Sequence, residues 1–173
     1  MDFTDLLNAR RSVRKFKPTP VEGEKLQRIL EAANSAPSAH NLQAYKIVVV
    51  QSKEGRKALA AACMEEKMFA QAPLALVFLA DPSCVVSKYS KINGERFCIL
   101  DATIAASYAQ LAVANEGLGT VWIGAFEAEA VKKAVGAPEY SIPVAVFPIG
   151  YSAEKPDKQT RRTLRDLVKQ EHF

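Results

Sequence analysis

The sequence predicts a single layered domain in which helices pack on a central sheet, and three observations carry that prediction. Four short apolar runs, the first of them rich in β-branched residues, read as strands, at residues 45–51, 74–80, 120–124 and 142–151. The segments between them have helical spacing or helix-forming composition, and no linker or repeat divides the 173 residues. A chain of this length, 49% hydrophobic and 24% charged, buries about 70% of its unfolded surface and needs no disulfide or metal to stand.

In chain order, Phe3, Leu6 and Leu7 predict a short first helix over residues 4–11, after which Pro18 and Pro20 force an extended link. Leu26, Ile29, Leu30 and Ala33 mark a second helix that ends near Asn34, before the loop SAPSAHNLQ. YKIVVVQ is the first strand, and the Ala-, Lys- and Glu-rich residues 53–66 favour a third helix. LALVFLA is the second strand, closed by the turn pair Asp81 and Pro82. From residue 83 to 95 no period survives, which predicts a long loop or lid. Residues 96–116 form a helix apolar on nearly every face, and such a helix must be covered on every face. One subunit's layers can hardly do that, so a partner subunit is expected on one side. Gly117 stops this helix, and TVWIG is the third strand. Residues 128–135 form another helix, ended by Gly136 and Pro138. The last strand, IPVAVFPIGY, carries Pro148, which predicts an edge or a bulge. A basic tail with a short helix near residues 163–169 closes the chain.

The formal net charge of +4 is unevenly placed, because residues 18–154 carry 12 basic and 14 acidic side chains. The excess lies in two segments. Residues 8–17 hold Arg10, Arg11, Arg14, Lys15 and Lys17 and no acid, and residues 155–169 hold six basic residues against Asp157 and Asp166. An anion bound where they meet is one reading. The other is a basic surface in which Arg10 and Arg11 complement a helix C-terminus. Cys63, Cys84 and Cys98 match no disulfide framework or metal spacing, and with His40 and His172 the only histidines, no metal site is expected. No run reaches the ~20 apolar residues of a membrane span, and Asp2 and Asp5 oppose a signal peptide. The expectation is therefore a cytoplasmic protein with no membrane partner. The GLG at residues 117–119 follows a helix and opens a strand, the reverse of a dinucleotide-binding turn.

Four stretches in this order, RRSVRKF, APSAHNLQAY, DATIAASYAQLAVANEGLG with WIGAF, and IGYSAEKPDKQTRRTL, resemble the FMN-dependent nitroreductase family over essentially the whole chain. The resemblance implies one domain over residues 1–173 with an α+β fold, a three-layer α/β/α sandwich around a mostly antiparallel sheet. It further implies an intertwined homodimer with FMN at the interface. The alternation of strands and helices alone favours a doubly wound parallel sheet, so the two expectations differ.

The resemblance also implies the site. Arg10, Arg11 and Ser12 match the family's phosphate-binding turn, joined by Arg161 or Arg162 from the tail; a guanidinium fork suits phosphate oxygens. Arg14 matches the cation beside the flavin pyrimidine, where positive charge favours reduction. Pro37, Ser38, Ala39 and Asn41, with Gln43, match the loop that reaches the isoalloxazine of the opposite subunit. Ile123 and Gly124 match the backbone that approaches flavin N5, where a glycine keeps a Cβ out of the way. Tyr89, Phe97 and His40 are candidates for substrate contact. The counterpart of a further flavin-contacting residue near positions 65–67 is not legible.

The implied activity is ping-pong hydride transfer from NADH or NADPH through FMN to a small acceptor such as a nitroaromatic or quinone. No side chain is required as nucleophile. The alternatives are a specialised flavin enzyme (a reductive dehalogenase or a flavin-fragmenting enzyme) or a non-enzymatic FMN- or anion-binding protein. A nucleic-acid partner is not expected, since the basic segments lack interleaved aromatics and the body is net negative.

Overall fold

The structure, a computed structural model, describes residues 2–85 and 90–173. Seven α-helices and four strands follow in the order α1 (Phe3–Ala9), α2 (Gly23–Asn34), β1 (Tyr45–Val50), α3 (Lys53–Cys63), α4 (Glu66–Gln71), β2 (Leu74–Ala80), α5 (Lys91–Asn115), β3 (Gly119–Thr120), α6 (Ala128–Val135), β4 (Ile142–Gly150) and α7 (Leu164–Leu167) among the described residues. The sheet order is β1-β2-β4-β3, and every neighbouring pair is antiparallel.

The antiparallel order follows from how the connections are built. The helix expected over residues 53–66 breaks at Met64, whose φ of 56° is left-handed, and the chain resumes as α4. Two helices in succession return the chain to the end of the sheet it left, so β2 pairs with β1 antiparallel. Arg56 locks the return by donating from Nη1 to the carbonyls of Phe69 (2.9 Å) and Ala72 (2.7 Å). A single helix, α5, connects β2 to β3; both run antiparallel to β4, which is inserted between them.

All seven residues of β2 are buried, because both faces of the sheet are covered. Leu74, Leu76, Phe78 and Ala80 point to a core shared with α2 and α5, where Phe147 packs against Phe78 at a ring separation of 5.0 Å. Ala75, Val77 and Leu79 point to a second core with Leu59, Phe69 and Val131 from α3, α4 and α6. Helices on each side of one sheet make the three-layer α+β sandwich.

Three further elements depart from the sequence expectation. α5 begins at Lys91, so the last five residues of the stretch read as a lid, 91–95, are helix, and residues 82–84 form a single 3-10 turn capped by Asp81, while residues 86–89 lie outside the described residues. KINGE lacks apolar periodicity and is helical as the extension of a well-packed neighbour. Second, the third strand shrinks to Gly119–Thr120 plus an isolated bridge at Ile123, which exchanges both backbone hydrogen bonds with Val146. Pro148 explains the gap. It sits in the interior strand β4 with Val146, Pro148 and Gly150 turned toward the β3 side, and its missing N–H falls where residues 121 and 122 leave the ladder. Third, a register shift between Phe78 and Leu79 leaves Val144 unpaired, so β4 does carry a bulge, although not at Pro148.

By length and hydropathy alone, Asn93–Asn115 could cross a membrane. Its inward residues Cys98, Ala102, Ala105, Ala106, Ala109 and Val113 are fully buried on the sheet. Its outward residues Ile99, Leu100 and Tyr108 are 36%, 45% and 41% exposed, so these apolar side chains are left uncovered among the described residues.

Candidate functional site

α1 ends at Ala9, two residues sooner than its apolar spacing indicates. Arg10 is the C-cap, with φ −57° and ψ 129°, and the chain beyond it runs extended along the sheet edge. There Ser12 bridges Thr120 in parallel and the Val13 N–H donates to Thr120 O at 3.0 Å. Gly119 permits this approach, since a Cβ would lie 2.7 Å from Val13 Cγ2. The strand leaving the sheet returns to the same place: Phe16 bridges Ser152, and Glu154 Oε1 accepts the N–H groups of Arg14 (2.6 Å) and Lys15 (3.1 Å).

The two basic segments therefore meet. Arg10, Arg11, Ser12, Arg14 and Arg161 line one cleft of about 580 Å3 together with residues 156–159. Burial, then the guanidiniums of Arg161 and Arg11, hold Arg10 below the usual arginine range. Asp157 lines this cleft, yet among the described residues no carboxylate pairs with Arg10, Arg11 or Arg161. Arg11 is partly engaged already, donating from Nη1 to Asn8 O (2.6 Å) and Arg10 O (2.8 Å) at the end of α1. For Arg11, then, the helix-terminus role and the cleft coexist. Arg162 turns instead to the carbonyl of Asp166 at 3.3 Å.

Arg14 connects this cleft to a second recess of about 320 Å3, lined also by Met64, Glu65, Met68, Trp122, Ile123 and Gly124. Met64 and Glu65 enter it because the helix breaks there, in the stretch whose contribution the sequence left illegible. Trp122 stands at the boundary of core and recess, edge-on to Phe147 at 5.2 Å. A Cβ on Gly124 would meet nothing closer than the Trp122 indole at 3.5 Å, so this peptide is open.

The 37–43 loop lines neither recess. His40, Asn41 and Gln43 have φ values of 49°, 56° and 48°, three left-handed non-glycine residues in four, at a cost of about 1–3 kcal/mol each. Ser38 Oγ accepts the Gln43 N–H at 3.0 Å, and Gln43 Nε2 donates to Asn41 O at 2.9 Å. Asp101 of α5, 2% exposed, accepts the Ala39 N–H at 2.9 Å through Oδ1. Phe97 is half-buried on α5 and His40 is exposed, whereas Tyr89 lies outside the described residues.

Sequence reasoning did not single out Glu154 or Asp101. Both sit within the quoted stretches, but an acid that binds backbone N–H groups leaves no spacing signal. Among the described residues no group of His, Cys, Asp and Glu could hold a metal ion.

The family model described as the nitroreductase family matches residues 7–151. A protein of Methanothermobacter thermautotrophicus, provisionally named an NADH dehydrogenase/NAD(P)H nitroreductase, is 32% identical over 90% of this chain and 80% of its own length. The FMN reductase [NAD(P)H] of Bacillus subtilis is 30% identical over 96% of this chain and 72% of its own. A crystal structure from Exiguobacterium sibiricum, provisionally described as a nitroreductase in complex with FMN, superposes with a TM-score of 0.91 over 99% of this chain and 98% of its own. At 19% identity that likeness bears on the fold alone. On the family match over residues 7–151, the chain belongs to the nitroreductase family.

Proposed function

We propose that this protein is an FMN-dependent NAD(P)H oxidoreductase acting on a small electron acceptor. The observation that carries the reading is the meeting of Arg10, Arg11 and Arg161 without a carboxylate partner among the described residues, continuous through Arg14 with the open peptide at Gly124. These residues fit the cofactor. Crowded guanidiniums are relieved by a phosphate dianion, and an exposed glycine peptide accepts a flat ring without a Cβ in the way.

In this reading Arg10, Arg161 and Ser12 bind the phosphate, with Arg11 contributing charge from the end of α1. Arg161 is the tail residue that does so, because Arg162 is turned to Asp166 O. Arg14 holds a cation between the phosphate end and the ring, and Ile123 and Gly124 present backbone to the ring edge. The chemistry supplied by bound FMN is acceptance of hydride from NADH or NADPH and its delivery to an acceptor such as a nitroaromatic or quinone. One recess serves donor and acceptor in turn, so the kinetics are ping-pong. Placement and charge are the protein's part, and no side chain acts as nucleophile.

The whole chain forms one domain of a cytoplasmic homodimer. The uncovered apolar residues Ile99, Leu100 and Tyr108 on α5 support a second copy there. Pro37, Ser38, Ala39, Asn41 and Gln43 line neither recess of their own chain, which supports assigning them to the other subunit's ring. His40 and Phe97, with Tyr89, belong to acceptor contact.

The test is an anaerobic absorbance titration of the purified protein with NADH and then NADPH, followed by a quinone or nitroaromatic. Bleaching of a flavin band near ~450 nm and its return on adding acceptor are expected. A protein that takes up no FMN overturns the reading, and one whose flavin neither nucleotide bleaches is a flavin binder and not this enzyme. Sedimentation at the mass of a single chain overturns the dimer.

A further inference from the structure

We propose that Asp101 is the positioning residue of the flavin site. From α5 its carboxylate holds the 37–43 loop in the strained shape in which it meets the ring; this rests on the reading of that loop given above. Three left-handed non-glycine residues persist only where their surroundings over-determine them. Most of the loop's own bonds are internal: Asn41 N–H to Ser38 O (3.1 Å), Leu42 N–H to Ala39 O (3.0 Å), Gln43 N–H to Ser38 Oγ (3.0 Å) and Gln43 Nε2 to Asn41 O (2.9 Å). Internal bonds move with the loop and cannot anchor it. The tie from Ala39 N–H to Asp101 Oδ1, at 2.9 Å and across 62 residues of sequence, fixes the turn to the core helix immediately before His40.

The carboxylate is an odd choice for packing alone. Asp101 is 2% exposed, its Oδ2 has no hydrogen-bond partner among the described residues, and its neighbours along the inner face of α5 are Cys98, Ala102 and Ala105. An apolar residue would suit that core, and a half-satisfied buried acid is costly. What the acid provides is a short, rigid acceptor at one backbone N–H.

The experiment compares wild type, Asp101→Asn and Asp101→Ala as full-length protein. Hydrogen exchange of the 37–43 peptide is followed without flavin, then FMN affinity and the absorption fine structure of the bound flavin. Asp101→Ala is expected to speed exchange across residues 39–43, weaken FMN about tenfold and move the bound spectrum toward that of free FMN. Asp101→Asn keeps an amide oxygen for the Ala39 N–H and is expected within about threefold of wild type on affinity. If Asp101→Ala does not fold, Asp101→Ser, too short to reach the N–H, takes its place with the same expectation. Unchanged exchange in the variant lacking the acceptor overturns the proposal while leaving the flavin reading intact. A loosened loop with unaltered FMN affinity and spectrum also overturns it, because the loop then does not meet the ring. A wild-type protein that takes up no FMN overturns the parent reading and this one together.

Discussion

Arg10, Arg11 and Arg161 rise from backbone of ordinary φ and crowd one another's charge, whereas His40, Asn41 and Gln43 carry no such conflict among side chains and store their strain in the backbone. The cationic cleft is assembled from segments about 150 residues apart and held by sheet bridges and by Glu154. The loop is a single local stretch, tied to α5 by the buried Asp101. Each region stores free energy in the currency its ligand end can relieve. In the proposed reading a phosphate would neutralise the clustered guanidiniums, and the preformed turn would present its peptide groups to a flat ring without reordering on binding.

The largest effect expected is on the cleft. Arg10→Ala with Arg161→Ala should lower FMN affinity by a hundredfold or more, since a hydrogen bond to a charged group contributes about 1.5–3 kcal/mol. Thermal unfolding without flavin should be unchanged or rise, because repulsion is removed; a large fall in Tm would break the comparison by making these arginines structural.

Next comes the platform that carries the tail to the cleft. A Cβ on Gly150 would lie 2.7 Å from Pro73 Cδ and 3.3 Å from Phe16 Cδ1, and neither ring can swing aside. Gly150→Ala should cost about 1–3 kcal/mol in urea unfolding. Gly124→Ala has room and should leave stability within about 0.5 kcal/mol while weakening flavin binding. Equal stability losses at both glycines would contradict the open peptide at Gly124.

Glu154→Ala frees two backbone N–H groups at a partly exposed site and should cost about 1 kcal/mol. Glu154→Gln retains an acceptor and should recover most of that, with FMN affinity following the same order.

The smallest effect sharpens the helical side that carries Asp101. Arg28 donates to both carboxylate oxygens of Glu116, at 3.0 and 2.8 Å, and this hydrogen bond holds the Glu116 pKa below its ordinary value. A depressed carboxylate contributes stability that is full above the unfolded pKa of about 4.3 and is lost as pH falls through the lower folded value. The urea midpoints of wild type and Arg28→Gln should therefore differ above about pH 4.3 and converge below the folded pKa of Glu116.

Much of this was legible beforehand, for particular reasons. The strands at residues 45–50, 74–80 and 142–150 and the helix Ala128–Val135 announced themselves through β-branching, periodicity and a stop at Gly136. Arg10, Arg11, Arg14 and Arg161 were legible as charge clusters and Ser12 through the family resemblance, and they share one cleft. The break at Met64 was not, because a left-handed methionine inside Ala- and Lys-rich sequence has no compositional mark. Nor was the early start of α5, or the part of Met64 and Glu65 in the second recess, since both depend on which neighbours the chain meets.

By itself, then, the sequence determined the layers, the apolar run of β2 and the two basic segments, because apolar period and charge are local properties of the chain. The tertiary structure alone decided the antiparallel order, through a two-helix excursion, and the shortening of β3 opposite Pro148. It alone brought Arg161 to Arg10 and set Asp101 under Ala39. Hydrogen-bond partners far apart in sequence are chosen by the packing of whole elements, and no local pattern encodes that choice.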